Sequence, residues 1–228
     1  EIASSLTGRN ITHHIWPLSF QEFLSFTNHS SEKFSVNEYL AHFKKYMLEG
    51  AFPEVTQLKN AQERNLQLQQ YFEDILNKDI IKRYQIRSTH TLYLIANYYV
   101  TNLSSLHSTH SVKKALNINP ETVGDYTRYL EDAFLIYAVQ RYHANLKVQT
   151  RDAKKIYVID TGLRNAISRS VSDDWGKLAE NIVYIELRRR GKEVYYYKEE
   201  GEVDFIITEN FKAKEAIDAA AANEETKD

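Results

Sequence analysis

Near its C-terminal end the chain reads Glu199-Glu200-Gly201-Glu202-Val203-Asp204-Phe205, four acids within six residues. Side chains two apart on a strand share a face, so Glu202, Asp204 and Ile206 fall on one side, and Val203, Phe205 and Ile207 on the other. Carboxylates in this arrangement suit a hard cation such as Mg²⁺, which takes oxygen ligands in octahedral geometry. An ion held there would activate water and steady developing charge. The alternative is that Asp204 is one polar residue on an ordinary sheet.

The elements that must position these residues can be read from capping and periodicity. Pro17-Leu18-Ser19-Phe20 opens a helix, with Ser19 as cap and Glu22 three residues on. A second helix covers about 36–48 and stops at Gly50, with Pro53 just beyond. A long helix, 61–84, carries Leu68, Phe72, Ile75, Leu76 and Ile80 at helical spacing. Helices follow near 91–103, 111–116 and 120–133, the last with Asn119 as cap, Pro120 at its first position, and Val123, Leu130 and Phe134 on its buried stripe. Runs at 134–139 and 155–159 read as strands, so three helices and a hairpin predict a winged helix. After a polar linker at 167–174, a helix over 178–190 leads to strands at 193–198 and 202–208, with a turn at Gly201 and a third short strand from about Glu215. The fold class is α+β.

Composition removes several classes. The 228 residues include no cysteine, which excludes disulfides, thiolate zinc sites and thiol nucleophiles and suits a reducing, cytoplasmic setting. No apolar run approaches a membrane span, so no membrane partner is expected. The net charge of -2 conceals an asymmetry: from Lys78 to Arg164 there are thirteen Lys/Arg against seven Asp/Glu, a net of +6. That middle segment favours an anionic partner, DNA being the natural one. The expected third helix carries Glu121, Asp125 and Asp132 beside a single Arg128, which repels phosphate. Contacts to DNA are therefore expected from Lys113 and Lys114, Arg128, and Arg141 and Lys147 in the wing region; the other reading is a winged helix used for protein packing or self-association.

Several blocks together carry a resemblance. They are Glu1-Ile2-Ala3-Ser4-Ser5-Leu6-Thr7-Gly8-Arg9, Pro17-Leu18-Ser19-Phe20, Glu49-Gly50-Ala51-Phe52-Pro53-Glu54, Lys78-Asp79-Ile80-Ile81-Lys82-Arg83-Tyr84, Tyr157-Val158-Ile159-Asp160-Thr161-Gly162-Leu163, Glu180-Asn181-Ile182-Val183-Tyr184-Ile185-Glu186-Leu187 and Gly201-Glu202-Val203-Asp204-Phe205. In this order they resemble the part that follows the nucleotide-binding core in archaeal and bacterial AAA-type ATPases, which end in a winged helix and a restriction-endonuclease-like domain of unknown function. The resemblance implies a helical lid remnant at 1–87, a winged helix at 88–167 and a small restriction-endonuclease-like α/β unit at 168–228. It also implies an ATPase core upstream of Glu1 that binds ATP and Mg²⁺. The seven glycines contain no pair with the P-loop spacing, so this chain alone should not hydrolyse ATP. In such ATPases a Gly-Xaa-Phe-Pro turn approaches the nucleotide, which makes Gly50, Phe52 and Pro53 candidate sensing positions; the usual second glycine is Ala51 here, and a plain helix cap and turn is the other reading.

A nuclease of the PD-(D/E)XK type needs an Asp at a strand end, an acid two residues before a Lys on the next strand, and often a helix Glu. Glu180, Asp204 and Asp218 take the three acid places, with Asp204 and Asp218 as metal ligands, but Ala220 stands where the Lys belongs. The expectation is a degenerate nuclease-like domain in a regulatory or interaction region of an AAA-type ATPase, which answers upstream nucleotide by engaging nucleic acid or a protein. The alternatives are a metal-dependent nuclease and a winged-helix DNA binder. Elsewhere, His107 and His110 lack a third metal ligand and read as a polar loop, and adjacent His13 and His14 make a poor chelate. Tyr195-Tyr196-Tyr197 reads as strand packing and Arg188-Arg189-Arg190 as cations suited to a helix end.

Overall fold

The computed structural model describes residues 13–27, 33–168, 174–199 and 201–219; the segment 1–9 and Ala220 lie outside them. Two helices open the described chain, α1 (Phe20–Phe26) and α2 (Val36–Glu49). Each starts from a full capping box, Ser19 with Glu22 and Ser35 with Glu38. Then come α3 (Pro53–Gln57) and α4 (Ala61–Asp74). The expected single helix to Tyr84 is interrupted: Ile75–Ile81 is π-helical, and a short α5 (Lys82–Tyr84) ends at Gln85 in the left-handed region. Leu68, Phe72, Leu76 and Ile80 are all buried, so the apolar stripe crosses the change of helix type.

The middle of the chain runs α6 (Thr89–Thr101), β1 (Ser105–His107), α7 (Thr109–Leu116), α8 (Pro120–Asp132), β2 (Ile136–Val139), α9 (Leu146–Arg151), β3 (Lys154–Val158) and α10 (Thr161–Ile167). β3 lies between β1 and β2 in an antiparallel sheet of order β1-β3-β2. Phe134 is a correction: it stands half exposed at φ +56°, in the turn that carries α8 into β2, instead of on the buried stripe. His107 is corrected as well, since it ends β1, is buried, and bonds the Asn102 carbonyl through Nε2 at 3.1 Å.

The C-terminal part is α11 (Trp175–Arg189) followed by β4 (Glu193–Lys198), β5 (Glu202–Glu209) and β6 (Lys212–Ile217) in an antiparallel sheet of order β4-β5-β6. A parallel bridge from Arg141 to Tyr196 links the two sheets. The main core runs from Met47 to Leu178 and includes Ile156 and Val158. A second core gathers Val139, Tyr157, Tyr184, Val194, Tyr196, Phe205 and Ile207. Strand alternation makes β3 the divider: Ile156 and Val158 face the first core, while Lys155 and Tyr157 face the second.

Candidate functional site

Two elements, α11 and β5, converge on one face of β3. Residue 181 of α11 fixes the geometry, because Asn181 clamps the β3 backbone twice: its Oδ1 accepts from the Val158 N–H and its Nδ2 donates to the Val158 carbonyl, both at 2.8 Å. The preceding residue, Glu180, is thereby held against the opposite face of β3. Its Oε1 accepts from the Tyr157 hydroxyl at 2.6 Å and lies 2.9 Å from the Lys155 ammonium. From β5, Asp204 Oδ1 meets the same ammonium at 2.9 Å, and Glu202 Oε1 approaches it to 3.5 Å. The other oxygen of Asp204 accepts from the Ala219 N–H at 3.0 Å. Asp218 stays at the exposed edge, where its Oδ1 accepts from the Asp204 N–H at 3.3 Å.

The Lys155 side chain is 4% exposed and that of Glu180 10%, so this is a buried ion cluster and not a surface pair. Burial alone would lower the Lys155 pKa; the hydrogen bonds and charges of Asp204 and Glu180 outweigh it, and the amine is held charged. Burial pushes the Glu180 carboxyl up, and the bonds from Tyr157 and Lys155 pull it back only part of the way. Burial, with the Glu180 carboxylate beside it, also raises Tyr157 far above the usual phenol range, so the hydroxyl is a fixed donor.

The fold brings Glu180 and Asp204 to the same ammonium, while Asp218 reaches only the Asp204 backbone N–H. Lys155 is the residue that motif reading missed. The signal lay in the alternation Lys155-Ile156-Tyr157-Val158, which turns a lysine toward the same side as a tyrosine that is fully buried. The donor set does not fit a Mg²⁺ ion as it stands, because an ammonium already occupies the point on which the carboxylate oxygens converge. Among the described residues no group of three or more His, Cys, Asp or Glu is arranged to hold a metal.

A second convergence joins two motifs far apart in sequence. Gly50 ends α2 at φ +81°, and Asp160 caps α10. Asp160 Oδ2 accepts from the Ala51 N–H at 2.6 Å and Oδ1 from the Leu163 N–H at 3.2 Å. A Cβ on Gly50 would stand 2.3 Å from Asp160 Oδ1, so only glycine allows this approach. Phe52 packs edge-on against Tyr71, and Pro53 takes the first position of α3. Gly50 therefore has a packing role in the docking of α2 on α10.

The expected nucleic-acid contacts divide. Lys113 and Lys114 on α7 and Lys147 on α9 are exposed. Arg141 bonds Asp152 at 2.8 Å and Glu199 at 2.7 Å, which ties the β2 edge to the end of β4. Arg128 faces Asp125 at 3.4 Å and lies over Tyr129, whose ring also stacks on that of Tyr84 at 3.8 Å. The Tyr84 hydroxyl donates to Asp132, so α8 is partly covered by the chain's own α5.

Over residues 40–174 the chain matches the family model described as Domain of unknown function (DUF8612). It is 34% identical over 224 residues to an uncharacterized protein of Methanocaldococcus jannaschii, covering 91% of this chain and 49% of that protein. It is 31% identical over 212 residues to an uncharacterized protein of Haemophilus influenzae, covering 90% of this chain and 52% of that protein. The chain spans about half the length of the curated relatives it matches. No solved structure matches. The resemblance to AAA-type ATPases with a restriction-endonuclease-like end is thereby corrected, since the family found over more than half of the chain is a different one and neither relative carries an ATPase or nuclease name. The chain belongs to the DUF8612 family.

Proposed function

We propose that this chain is a non-catalytic interaction region, in which residues 88–167 act as a winged helix and the part from residue 168 on as a nuclease-like α/β scaffold. One observation carries the reading: the Lys155 ammonium sits 2.9 Å from both Glu180 and Asp204, where a nuclease would need its metal. The carboxylates that could activate water share one ammonium and are hydrogen-bonded to their own fold. The order α11-β4-β5-β6, with an acid on the helix and another on the middle strand, supports the nuclease-like reading of the scaffold's shape alone. The test is plasmid DNA incubated with the chain in Mg²⁺ or Mn²⁺. The expected result is intact plasmid; metal-dependent cleavage that vanishes in Asp204→Ala would overturn the reading.

A second reading, binding of duplex DNA, draws support from the strand order β1-β3-β2 around α6, α7 and α8, which is compatible with a winged helix. Lys113, Lys114 and Lys147 supply its exposed cations, and phosphate neutralisation by such residues gives binding that weakens with salt. A gel shift with duplex DNA is expected to show a complex at low ionic strength that is weakened several-fold in the Lys113→Ala, Lys114→Ala double variant. Absence of any complex at low ionic strength removes this reading and leaves a protein partner for the interaction region.

A further inference from the structure

We infer that the exposed half of α2, with the cleft between it and α11, is a docking surface for a helical segment of another protein, one whose apolar stripe is bordered by acidic residues. The inference deepens the interaction-region reading above and rests on it. At about 100° per residue, Val36, Tyr39, Leu40, Phe43, Tyr46 and Met47 share one stripe of α2. A surface helix turns such a stripe toward its own core, and α2 does so only along its second half. There Tyr46 and Met47 are buried, and the Tyr46 hydroxyl donates to the Leu18 carbonyl at 2.7 Å. The first half carries the stripe out into solvent. Every residue from Ser35 to Ala41 is exposed, with Val36 at 77%, Tyr39 at 49% and Leu40 at 47%. Beside this stretch runs a cleft lined by Tyr39 and Phe43 of α2 and by Ile182 and Val183 of α11, with Arg189 and Arg190 also on its wall.

Size and charge select the occupant. Three side chains that are half to three-quarters exposed offer on the order of a few hundred Å², against roughly 800 Å² per partner in a stable complex of two folded surfaces. A single helix laid in a groove, with anchors at i, i+3, i+4 and i+7, needs no more. The uncommitted charge along this face is positive. Lys44, one turn after Leu40, is exposed, lies over the Trp175 ring at 5.8 Å and has no ion pair among the described residues. On the cleft side the Arg190 side chain is 66% exposed and bonds Glu186 through Nε alone, at 2.8 Å. The nearby acids are already engaged. Glu38 closes the α2 capping box at Ser35, and Glu186 is shared by Arg189 and Arg190. A partner helix with acids on both flanks of its stripe complements this face.

The probe is a synthetic peptide of about 20 residues, long enough to be helical alone, with leucines at i, i+3, i+4 and i+7 and glutamates flanking them. A second peptide carries lysines in place of the glutamates, and binding of each is read by fluorescence anisotropy. The wild type is expected to hold the glutamate peptide roughly tenfold more tightly than the lysine peptide, a preference that fades with salt. Leu40→Glu is expected to lose the glutamate peptide, and Lys44→Glu combined with Arg190→Glu to prefer the lysine peptide instead. These positions are exposed, so the variants are expected to melt with the wild type. Binding of neither peptide, or of both equally, overturns the inference. So does a concentration-dependent dimer in sedimentation that Leu40→Glu abolishes, which would place a second copy on this face. Metal-dependent plasmid cleavage by the wild type would instead overturn the non-catalytic reading and leave the peptide result standing, so the two failures are told apart.

Discussion

Asp160 shows what a single buried carboxyl does to the pH response of this protein. It is fully buried, and that burial lifts its pKa from 3.8 to about 6 against the pull of backbone N–H groups of Ala51, Leu163 and Gly162. A folded-state pKa above the unfolded one means that the folded protein holds the proton more tightly. The resulting stabilisation is fully present below about pH 3.8 and is lost as pH rises through about 6. The whole span is worth about 3 kcal/mol at 1.36 kcal/mol per pKa unit. Asp160→Asn removes the titration while keeping a side chain that can still cap α10. Urea denaturation of both proteins is expected to show the wild type losing about 1 kcal/mol relative to Asp160→Asn between pH 5 and pH 7.5. A difference that stays constant, or moves the other way, would show that Asp160 is ionised in the fold across that range.

Elements whose signals are local were legible in the sequence. Ser19 and Asn119 cap helices as residue type and spacing predict, because a cap is made within three residues. The strands β4 and β5 begin where expected, at Glu193 and Glu202. Elements that depend on distant partners were not legible. β1 is three residues long, and Ser105–His107 becomes a strand only because β3, fifty residues later, lies beside it. The π-helical segment Ile75–Ile81 carries an ordinary helical stripe, and nothing in its residue types marks the change. The site divides along the same line. Glu180 and Asp204 were found by their places on a helix and a strand, whereas Lys155 enters the cluster through tertiary packing of β3 between two cores. Gly50 was singled out as a helix stop and a candidate nucleotide-sensing position; its packing reason, the 2.3 Å that a Cβ would leave to Asp160, lies 110 residues away.

Across the whole molecule, β3 is the shared wall of two cores, and this sets how the protein unfolds. Tyr157 stacks on Tyr184 at 4.2 Å and meets Phe205 at 5.7 Å, while its chain neighbours Ile156 and Val158 are buried in the main core. Losing either core exposes one face of β3, so the two are expected to melt as one unit. The chain contains two tryptophans, and they report on different cores: Trp16 packs at the second, stacked on Tyr137 at 5.8 Å, and Trp175 packs at the main one. Single-tryptophan proteins, made with Trp16→Phe or Trp175→Phe, therefore follow each core by fluorescence. In the wild-type background their urea midpoints are expected to coincide once corrected for the cost of each Phe. Tyr157→Ala removes the central ring of the second core, and large-to-small changes of this kind cost about 3–5 kcal/mol. With that ring gone, Trp16 is expected to report an earlier transition than Trp175, because β3 keeps only its Ile156 and Val158 face. Separate midpoints before Tyr157 is changed would mean that the two cores are independent and that β3 joins them in space without coupling them in energy.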